Sequence, residues 1–495
     1  MPSVLPILPF VLGLVGAGGA LVAGRRIVAL RIWGPLPQLA LVAVLAAILV
    51  RTFSGEVLVH RAGGWAPPLG IVYAADRFSA LFGALVVVLG SAALAYALLE
   101  DEPRGHHRVI ALHFLLQAGM YGAVFTGDLF NLYVCFELLG IASYGLVAYR
   151  GTGRHAEAAL KYATLSLIAS VLMLMGVGSI YAQTGTLTLA ALHEASLDPA
   201  APPLYLFATV LVLVALALKA ALFPLHFWLP DAHSIAPTGV SVLLSGAVVK
   251  VGAYGLFRVL LSQGLWLHGE LRGVLLAVGA LTALGAAWVA FAQKELKRFL
   301  AYSTASQMGY VVASGALGTL AGVRGVVVYA LVHAVTKGTL FLTAGIADRV
   351  FGTRRWDRMG GLAARAPLLS MVAFVALFSL AGLPPFAGFT GKLAVFLALA
   401  QERAYVALAA LVLASLTILA AAGRIWLRIA GGAPRDDLAA PSRGKLAVAF
   451  ALALLVVALG LGVSWVIEAG DAAAAQLLEG ESYRTAVLGT TASEG

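Results

Sequence analysis

Charged residues are scarce in this 495-residue chain, where Asp, Glu, Lys and Arg together make up only 11%. A soluble globular protein carries about 25%. Hydrophobic residues instead reach 61%, and the mean hydropathy is +0.95, which excludes a soluble domain of useful size. Apolar runs of roughly 20 residues, long enough to cross ~30 Å of hydrocarbon, recur along the whole chain. The sequence therefore predicts an all-α polytopic membrane protein in a lipid bilayer.

Cysteine is almost absent as well, since Cys135 is the single one. One cysteine excludes a disulfide framework, and the sequence has no Cys/His cluster of the kind that binds zinc or an iron–sulfur centre. P-loop and dinucleotide-binding motifs are also missing. We therefore expect no metal, no cofactor and no catalytic residues, and so no enzymatic reaction carried out by this chain itself.

The apolar runs predict about fourteen membrane spans, at residues 3–23, 35–52, 77–99, 107–126, 129–149, 160–183, 204–229, 237–261, 273–293, 299–317, 325–347, 368–400, 404–429 and 446–468. Most of the 33 Lys and Arg residues fall in loops that follow odd-numbered spans, and such an excess marks cytoplasmic loops. Both termini of this multi-pass plasma-membrane protein are therefore predicted outside. The net charge of +10 sets orientation and does not indicate nucleic-acid binding.

Two of the predicted spans are interrupted by proline. The seventh contains LKAALFPLHFWLP, with Pro224 five residues after Lys219, and the twelfth contains LAGLPPFAGFTGK, with Pro384 and Pro385. Proline removes a backbone donor and clashes with the carbonyl four residues earlier, so each helix should open there and become discontinuous. Paired interruptions are typical of transporters built from repeats, where they mark the ion site. Simple proline kinks are the alternative.

The spacing of the two interruptions predicts an internal symmetry. They lie five spans apart, and because five is odd, a five-helix unit enters the membrane with opposite orientation in its second copy. We therefore predict two inverted five-helix repeats in one membrane domain. Its parts are residues 1–106 with spans 1–3, residues 107–262 and 263–430 with the two repeats, and residues 431–495 with span 14 and a short tail.

Five charged residues lie inside the predicted spans: Glu137, Lys219, Lys250, Lys337 and Lys392. Each charge at a helix centre costs roughly 2.5–3.5 kcal/mol on insertion scales. Pairing with Glu137 accounts for one lysine, so the others need a wet, polar interior. Burial and nearby positive charge lower the pKa of a lysine by up to about three to five units, so that it exchanges protons near neutral pH. The set predicts a proton relay and not a sodium site, because lysine offers no oxygen ligands.

Neutral polar residues can connect the lysines. His333 lies four residues before Lys337, on the same helix face. Hydroxyl and amide side chains also fall in the eighth and tenth spans, at Thr238, Ser241, Ser245, Ser303, Thr304, Ser306 and Gln307. Asp231 and His233 follow the interrupted seventh span and are a candidate proton entrance, with a helix cap as the alternative.

Two long motifs carry a family resemblance. FWLPDAHSIAPTGVSVLLSGAVVKVGAYGL (227–256) and ELKRFLAYSTASQMGY (295–310) resemble the antiporter-like subunits of respiratory complex I and their relatives. Within that superfamily, FNLYVCFELLGIASYGLVAY (130–149) and the chain length are most similar to the D-type subunits of Mrp-type multisubunit Na+/H+ antiporters. The resemblance implies a fold of fourteen helices with inverted repeats.

The resemblance also implies roles for the charged residues. It assigns a hydrated proton path along the membrane plane to Glu137 on the fifth helix, Lys219 on the seventh, Lys250 on the eighth, Lys337 on the eleventh and Lys392 on the twelfth. It implies other membrane subunits as partners, and Na+ and H+ as the transported ions. Two alternatives remain: a proton-pumping subunit of a complex I-like NADH:quinone oxidoreductase or membrane-bound hydrogenase, and a self-contained transporter of an organic solute. The lysines disfavour the latter.

Overall fold

Helices dominate the computed structural model, which describes residues 3–100, 106–197, 203–263, 269–432 and 439–489. Within those ranges, ten helical segments are long and apolar enough to cross a membrane, and four shorter apolar helices accompany them. A multi-pass membrane protein is therefore confirmed. The count of about fourteen spans stays a prediction.

The first half of the chain begins with three helices and a small hairpin, and the two strands are β1 (Leu58–Arg61) and β2 (Val72–Ala75). Its helices are α1 (Leu8–Ala23), α2 (Ile27–Trp33), α3 (Pro35–Phe53), α4 (Arg77–Leu98), α5 (His106–Phe125), α6 (Leu129–Ala148), α7 (Gly153–Thr184), α8 (Leu189–Leu197), α9 (Pro203–Lys219), α10 (Trp228–Ile235), α11 (Thr238–Leu243) and α12 (Val249–Ser262). A π-helical turn, Leu244–Val248, joins α11 to α12.

The second half is helical in all its named elements except for short turns. Its helices are α13 (Gly269–Ala292), α14 (Leu296–Gly315), α15 (Leu320–Phe351), α16 (Leu362–Arg365), α17 (Pro367–Ala381), α18 (Ala387–Gln401), α19 (Tyr405–Ala430), α20 (Arg443–Leu461), α21 (Val463–Glu479) and α22 (Glu481–Leu488).

Two features correct the sequence-based prediction. The chain is not purely α-helical, because β1 and β2 pair antiparallel with Leu58 opposite Ala75. The predicted span 446–468 also crosses Gly462, where α20 ends and α21 begins. The segment that follows is helical, since α21 and α22 continue to Leu488. Both corrections arise where apolar content alone does not reveal a turn.

Two of the most deeply buried helical segments carry predicted relay residues. In the most apolar stretch of Thr238–Leu261 every residue is buried, and in that of α15 94% of the residues are buried. The corresponding share is only 33% for α19, for α20 and for the segment Ala29–Phe53 that contains α3. The outer helices therefore present apolar side chains to the surroundings, as lipid requires. Lys250, His333 and Lys337 lie on the inner helices, at the centre of the packed bundle.

The loops lie at two opposite ends of the bundle. At one end, the loops after odd-numbered spans are hydrogen-bonded together: Leu296 N donates to Arg354 O, Gly361 N to Gly431 O, and Ala439 N to Val350 O. In the same region Arg355 donates to Asp357 at 2.7 Å, and this hydrogen bond holds the pKa of that carboxyl below its usual range.

The loops after even-numbered spans meet at the other end, around the β1–β2 hairpin. Gly127 N donates to Val72 O, and Ser3 N donates to Val59 O. From the far end of the chain, Arg61 Nη2 donates to Val487 O at 3.3 Å. Both ends of the described chain thus share one face, while residues 490–495 lie outside the described ranges. The side of the membrane that this face occupies stays a prediction.

Candidate functional site

The first interruption lies directly beside Lys219. Helix α9 ends at Lys219, Ala221 adopts a left-handed φ of 57°, and the chain becomes helical again at Trp228. Pro224 lies between the two helices, as its missing N–H predicts. The indole Nε1 of Trp228 donates to the carbonyl of Leu218 at 3.0 Å. A side chain from the second helix therefore satisfies a carbonyl at the end of the first one.

Glu137 and Lys219 approach the same face of α7. Lys219 is buried to 5% exposure, and its Nζ donates to Ser166 Oγ at 2.5 Å. One turn further along α7, Ser170 Oγ donates to Glu137 Oε1. Glu137 and Lys219 make no direct ion pair in the described part of the chain, although the carboxylate acts electrostatically on the ammonium. Two serines therefore stand between the two charges.

Lys250 is fully buried on α12, directly after the π-helical turn. Its Nζ reaches back to the carbonyl of Ser245 at 2.6 Å. The hydroxyl of Ser245 shares a hydrogen bond of 2.7 Å with Thr304 Oγ1 on α14. A π-turn is a common local feature at functional sites. Here it adjoins the residue that links Lys250 to the neighbouring helix.

The same hydrogen-bond chain continues to Lys337. Thr304 Oγ1 donates to Leu300 O at 2.8 Å, and the same carbonyl accepts from Lys337 Nζ at 2.9 Å. Lys337 also donates to Ser303 Oγ at 2.5 Å. Helix α14 thus bridges Lys250 on α12 and Lys337 on α15 through backbone and hydroxyl oxygens. Of the polar residues predicted to connect the lysines, Ser245, Ser303 and Thr304 have side chains in this bridge.

His333 lies one turn from Lys337 on α15, and its ring stacks on Tyr329 with centroids 5.7 Å apart. The residue is 3% exposed, and neither ring nitrogen has a hydrogen-bond partner among the described residues. Lys250, Lys337 and Lys392 all act electrostatically on this ring. Two unsatisfied nitrogens at such a position are consistent with water in the interior, because buried polar groups are normally paired.

The second interruption separates α17 from α18. Helix α17 ends at Ala381, Gly382 follows with a left-handed φ of 88°, and α18 begins at Ala387. Pro384 and Pro385 occupy the gap, where neither can donate a backbone hydrogen bond. The twelfth span is therefore discontinuous at the predicted residues.

The side chain of Lys392, on α18, reaches across this interruption to the end of α17. The residue is 3% exposed, and its Nζ donates to the terminal carbonyl of α17, that of Ala381, at 2.8 Å. It also donates to Ser415 Oγ at 2.8 Å and lies 5.6 Å from the ring centroid of Tyr310. A helix C-terminus carries partial negative charge, which favours an ammonium group there. The broken helix thus supplies part of the lysine's solvation.

The two residues of the candidate proton entrance are not equivalent. Asp231 lines an open cavity of about 550 Å³ at the end of the bundle that holds the odd-numbered loops. Its carboxylate lies 3.5 Å from both Lys161 and Arg298. His233 is instead fully buried, with Nδ1 2.8 Å from Leu229 O. The helix-cap alternative is wrong, because no side chain caps α11 and both residues lie within α10.

Comparison with known proteins identifies the family. The family model for the transmembrane part of NADH:quinone oxidoreductase and Mrp antiporters matches residues 126–417, more than half of the chain. The chain belongs to this family. All six residues of the predicted relay and both helix interruptions lie inside the matched range.

Relatives of this family cover almost the whole chain. The D-type subunit of the Na+/H+ antiporter of Bacillus subtilis is 32% identical over 97% of this chain and 99% of its own length. A chain of the Mrp complex from Dietzia sp. DQ12-45-1b superposes with a TM-score of 0.92 at 30% identity, covering 98% of this chain and 99% of that one. The resemblance to the D-type subunits of Mrp antiporters is confirmed, and these relatives indicate a transporter subunit and not a catalytic enzyme.

A redox complex contains a similarly close structural neighbour. A chain of the membrane-bound sulfane sulfur reductase, an archaeal respiratory membrane complex, superposes with a TM-score of 0.91 at 30% identity, covering 98% of this chain and 100% of that one. The shared architecture therefore serves members of the family in both kinds of assembly. Among the described residues, no group of three or more His, Cys, Asp or Glu residues could hold a metal ion.

This family member also contains a buried ion pair that the sequence analysis missed. Arg258 lies within α12, is 3% exposed, and donates to Asp76 Oδ1 at 2.7 Å. Its guanidinium also lies over the rings of Phe78 and Tyr483. The sequence did contain a signal for a buried arginine, because Arg258 lies eight residues after Lys250 and inside the predicted span 237–261. The pair ties α12 to the start of α4.

Proposed function

We propose that this chain is the proton-translocating subunit of a multisubunit Na+/H+ antiporter. Protons move through Glu137, Lys219, Lys250, His333, Lys337 and Lys392 near the middle of the membrane. The observation that carries the proposal is the burial of four lysines, each with an oxygen ligand at 2.5–2.9 Å. Ionisable residues at this depth are costly, so they mark ion pathways.

The oxygens around the lysines account for how each ammonium is tolerated and how it can release a proton. Carbonyl and hydroxyl oxygens accept hydrogen bonds from the protonated lysine, and a hydroxyl can also donate to the neutral amine. The two lysines have different acceptors, and the bond between Ser245 and Thr304 connects the residue that binds Lys250 to the helix that binds Lys337. The proposal assigns proton transfer to this chain and leaves the sodium path unassigned, because lysine cannot ligate sodium.

Asp231 is the candidate for proton entrance at the cytoplasmic surface. It lines the water-accessible cavity beside Lys161 and Arg298. His233 would follow it in the interior, where Lys250 and Lys337 act electrostatically on its ring. A proton would thus pass from the cavity to the relay along α10.

The domain organisation follows the two interruptions. We assign the first inverted repeat to residues 107–262 and the second to residues 263–430, with residues 1–106 and 431–495 as additions to a single membrane domain. Each repeat then contains one broken helix and one lysine at the break. Symmetry of this kind is common in transporters whose ion site lies at the interface of the repeats.

The position of Glu137 supports the proposal that the chain contacts other membrane subunits. On α6 it lies between two apolar residues that face outward, Val134 with 43% exposure and Ile141 with 62%. A carboxylate on a lipid-facing surface is unfavourable. Contact with another subunit would cover Glu137, in keeping with the multisubunit assemblies of the structural neighbours.

Replacing glycine beside Lys392 tests the geometry of the second break. A Cβ atom at Gly382 would lie 2.6 Å from Lys392 Cδ, and a non-glycine residue at left-handed φ costs about 1–2 kcal/mol. We therefore expect Gly382→Ala to displace the lysine from Ala381 O and to slow Na+/H+ exchange about tenfold in vesicles with the assembled complex. Gly423→Ala on α19, where no atom lies within 4 Å, is the control. Equal rates for both variants would contradict this role.

The orientation in the plasma membrane is tested by cysteine labelling. We propose that the odd-numbered loops face the cytoplasm and that both termini lie outside, as the distribution of Lys and Arg indicates. In a Cys135→Ser background, an impermeant maleimide added to intact cells should label Ser482→Cys and miss Thr353→Cys. Both sites should react after permeabilisation. The reverse pattern in intact cells would invert the assignment.

The proposed function is tested without any electron donor. In everted vesicles that contain the assembled complex and an imposed proton gradient, added Na+ should dissipate the gradient. The alternative is a proton-pumping subunit of a complex I-like oxidoreductase or membrane-bound hydrogenase, which the respiratory neighbour favours. Proton movement that requires an electron donor, together with quinone- or iron–sulfur-bearing subunits in the purified complex, would establish that alternative.

A further inference from the structure

Helix α7 contains two serines that hold the opposite charges of Glu137 and Lys219. Ser166 Oγ accepts from the Lys219 ammonium, and Ser170 Oγ donates to the Glu137 carboxylate. The serines are four residues apart, so they lie on one face of the helix. The carbonyl oxygen of Ser166, 2.9 Å from Ser170 Oγ, is a second acceptor for the same single hydroxyl hydrogen, so the bond to Glu137 competes with a bond inside α7.

We propose that Ser166 and Ser170 are positioning residues that couple Glu137 to Lys219 while preventing a direct ion pair. The proposal rests on the proposed proton relay and specifies how its first two members communicate. A direct contact would bind the lysine proton more tightly, because attraction between unit charges rises as their separation falls. The serine pair keeps the carboxylate near enough to act on Lys219 and leaves the lysine able to release its proton.

The surroundings contain few other groups that could take over this coupling. Tyr133 and Tyr144 on α6 lie near Glu137, and Tyr144 packs edge-on against Tyr162 of α7. Helix α12 packs against α9 and carries Lys250, whose ammonium is bonded to the carbonyl of Ser245 in the adjoining π-turn. Among the charged groups of the described residues, Glu137 is the one that acts on Lys219.

The first test is the pH profile of exchange in the assembled complex. In Ser170→Ala, Glu137 loses its donor and can turn towards Lys219, so proton release requires a higher pH. We expect the midpoint of the acidic limb to move upward by about one pH unit, a tenfold change in proton affinity. Ser170→Thr retains the hydroxyl and should restore the midpoint. Ser179→Ala, at another serine of α7, is the matched control and should leave the profile unchanged.

The second test measures the interaction between Glu137 and Lys219 by infrared spectroscopy and does not depend on transport. The infrared carboxylate band of Glu137 is assigned by its loss in Glu137→Gln. Ser166 contacts Lys219 and not Glu137, yet Ser166→Ala should shift this band if the serines transmit the interaction. An unchanged band in Ser166→Ala, or an unchanged pH midpoint in an active Ser170→Ala complex, overturns the inference. Exchange that persists in Lys219→Ala would instead overturn the proposed relay, so the two failures are distinguishable.

Discussion

Lys219→Ala is expected to abolish Na+/H+ exchange while the complex still assembles. The substitution removes the ammonium at the end of α9, together with its hydrogen bond to Ser166. A group that transfers a proton in each cycle contributes about 10²–10⁴-fold to the rate, so we expect at least a hundredfold loss. Assembly should persist, because Glu137 is only partly buried and keeps its hydrogen bond from Ser170. The measurement is the exchange rate in everted vesicles, normalised to the amount of complex.

The matched control for this prediction is Lys294→Ala, which removes an exposed lysine from the loop between α13 and α14. It should exchange at the normal rate. Glu137→Gln keeps the shape of the side chain and removes its charge, and it should lower exchange together with Lys219→Ala. Near-normal exchange by Lys219→Ala at unchanged assembly would remove this lysine from the relay.

Lys337→Arg is expected to block exchange almost as completely as Lys337→Ala. Both should lower the rate about a hundredfold or more, as expected for loss of a proton-transfer group. Arginine keeps the positive charge and can donate to Leu300 O and Ser303 Oγ, the acceptors of Lys337. It cannot give up a proton in a protein. The pair of variants therefore separates a lysine that must release its proton from one that serves as a fixed charge.

The same vesicle assay measures this pair, with assembly of the complex determined in parallel. A fixed charge would let Lys337→Arg exchange at close to the normal rate while Lys337→Ala fails, and that result would contradict proton transfer through Lys337. Because arginine is larger than lysine and Lys337 is fully buried, normal assembly of Lys337→Arg is required before its exchange rate is interpreted.

The amino-acid sequence was sufficient to identify a membrane protein and to predict which residues carry the proton relay. Scarce charge and recurrent apolar runs require a membrane, because the free energy of burying such surface depends mainly on composition. Prolines fixed the two interruptions through their missing N–H groups, and lysines in apolar runs predicted the relay positions because a charge there is costly. These are local properties, and the motifs around them were sufficient to recognise the family.

Which polar groups contact one another depends on the packing of the helices and could not be predicted from the sequence. The serine pair of α7 between Glu137 and Lys219, the Ala381 carbonyl on Lys392, and the Arg258–Asp76 ion pair all join different elements of the fold. The β1–β2 hairpin and the turn at Gly462 also escaped prediction. Apolar patterning fixes which segments are buried, but it does not specify which helices are neighbours or how they are rotated. Those relations depend on the packing of the whole bundle, which determines the partner of each buried polar atom.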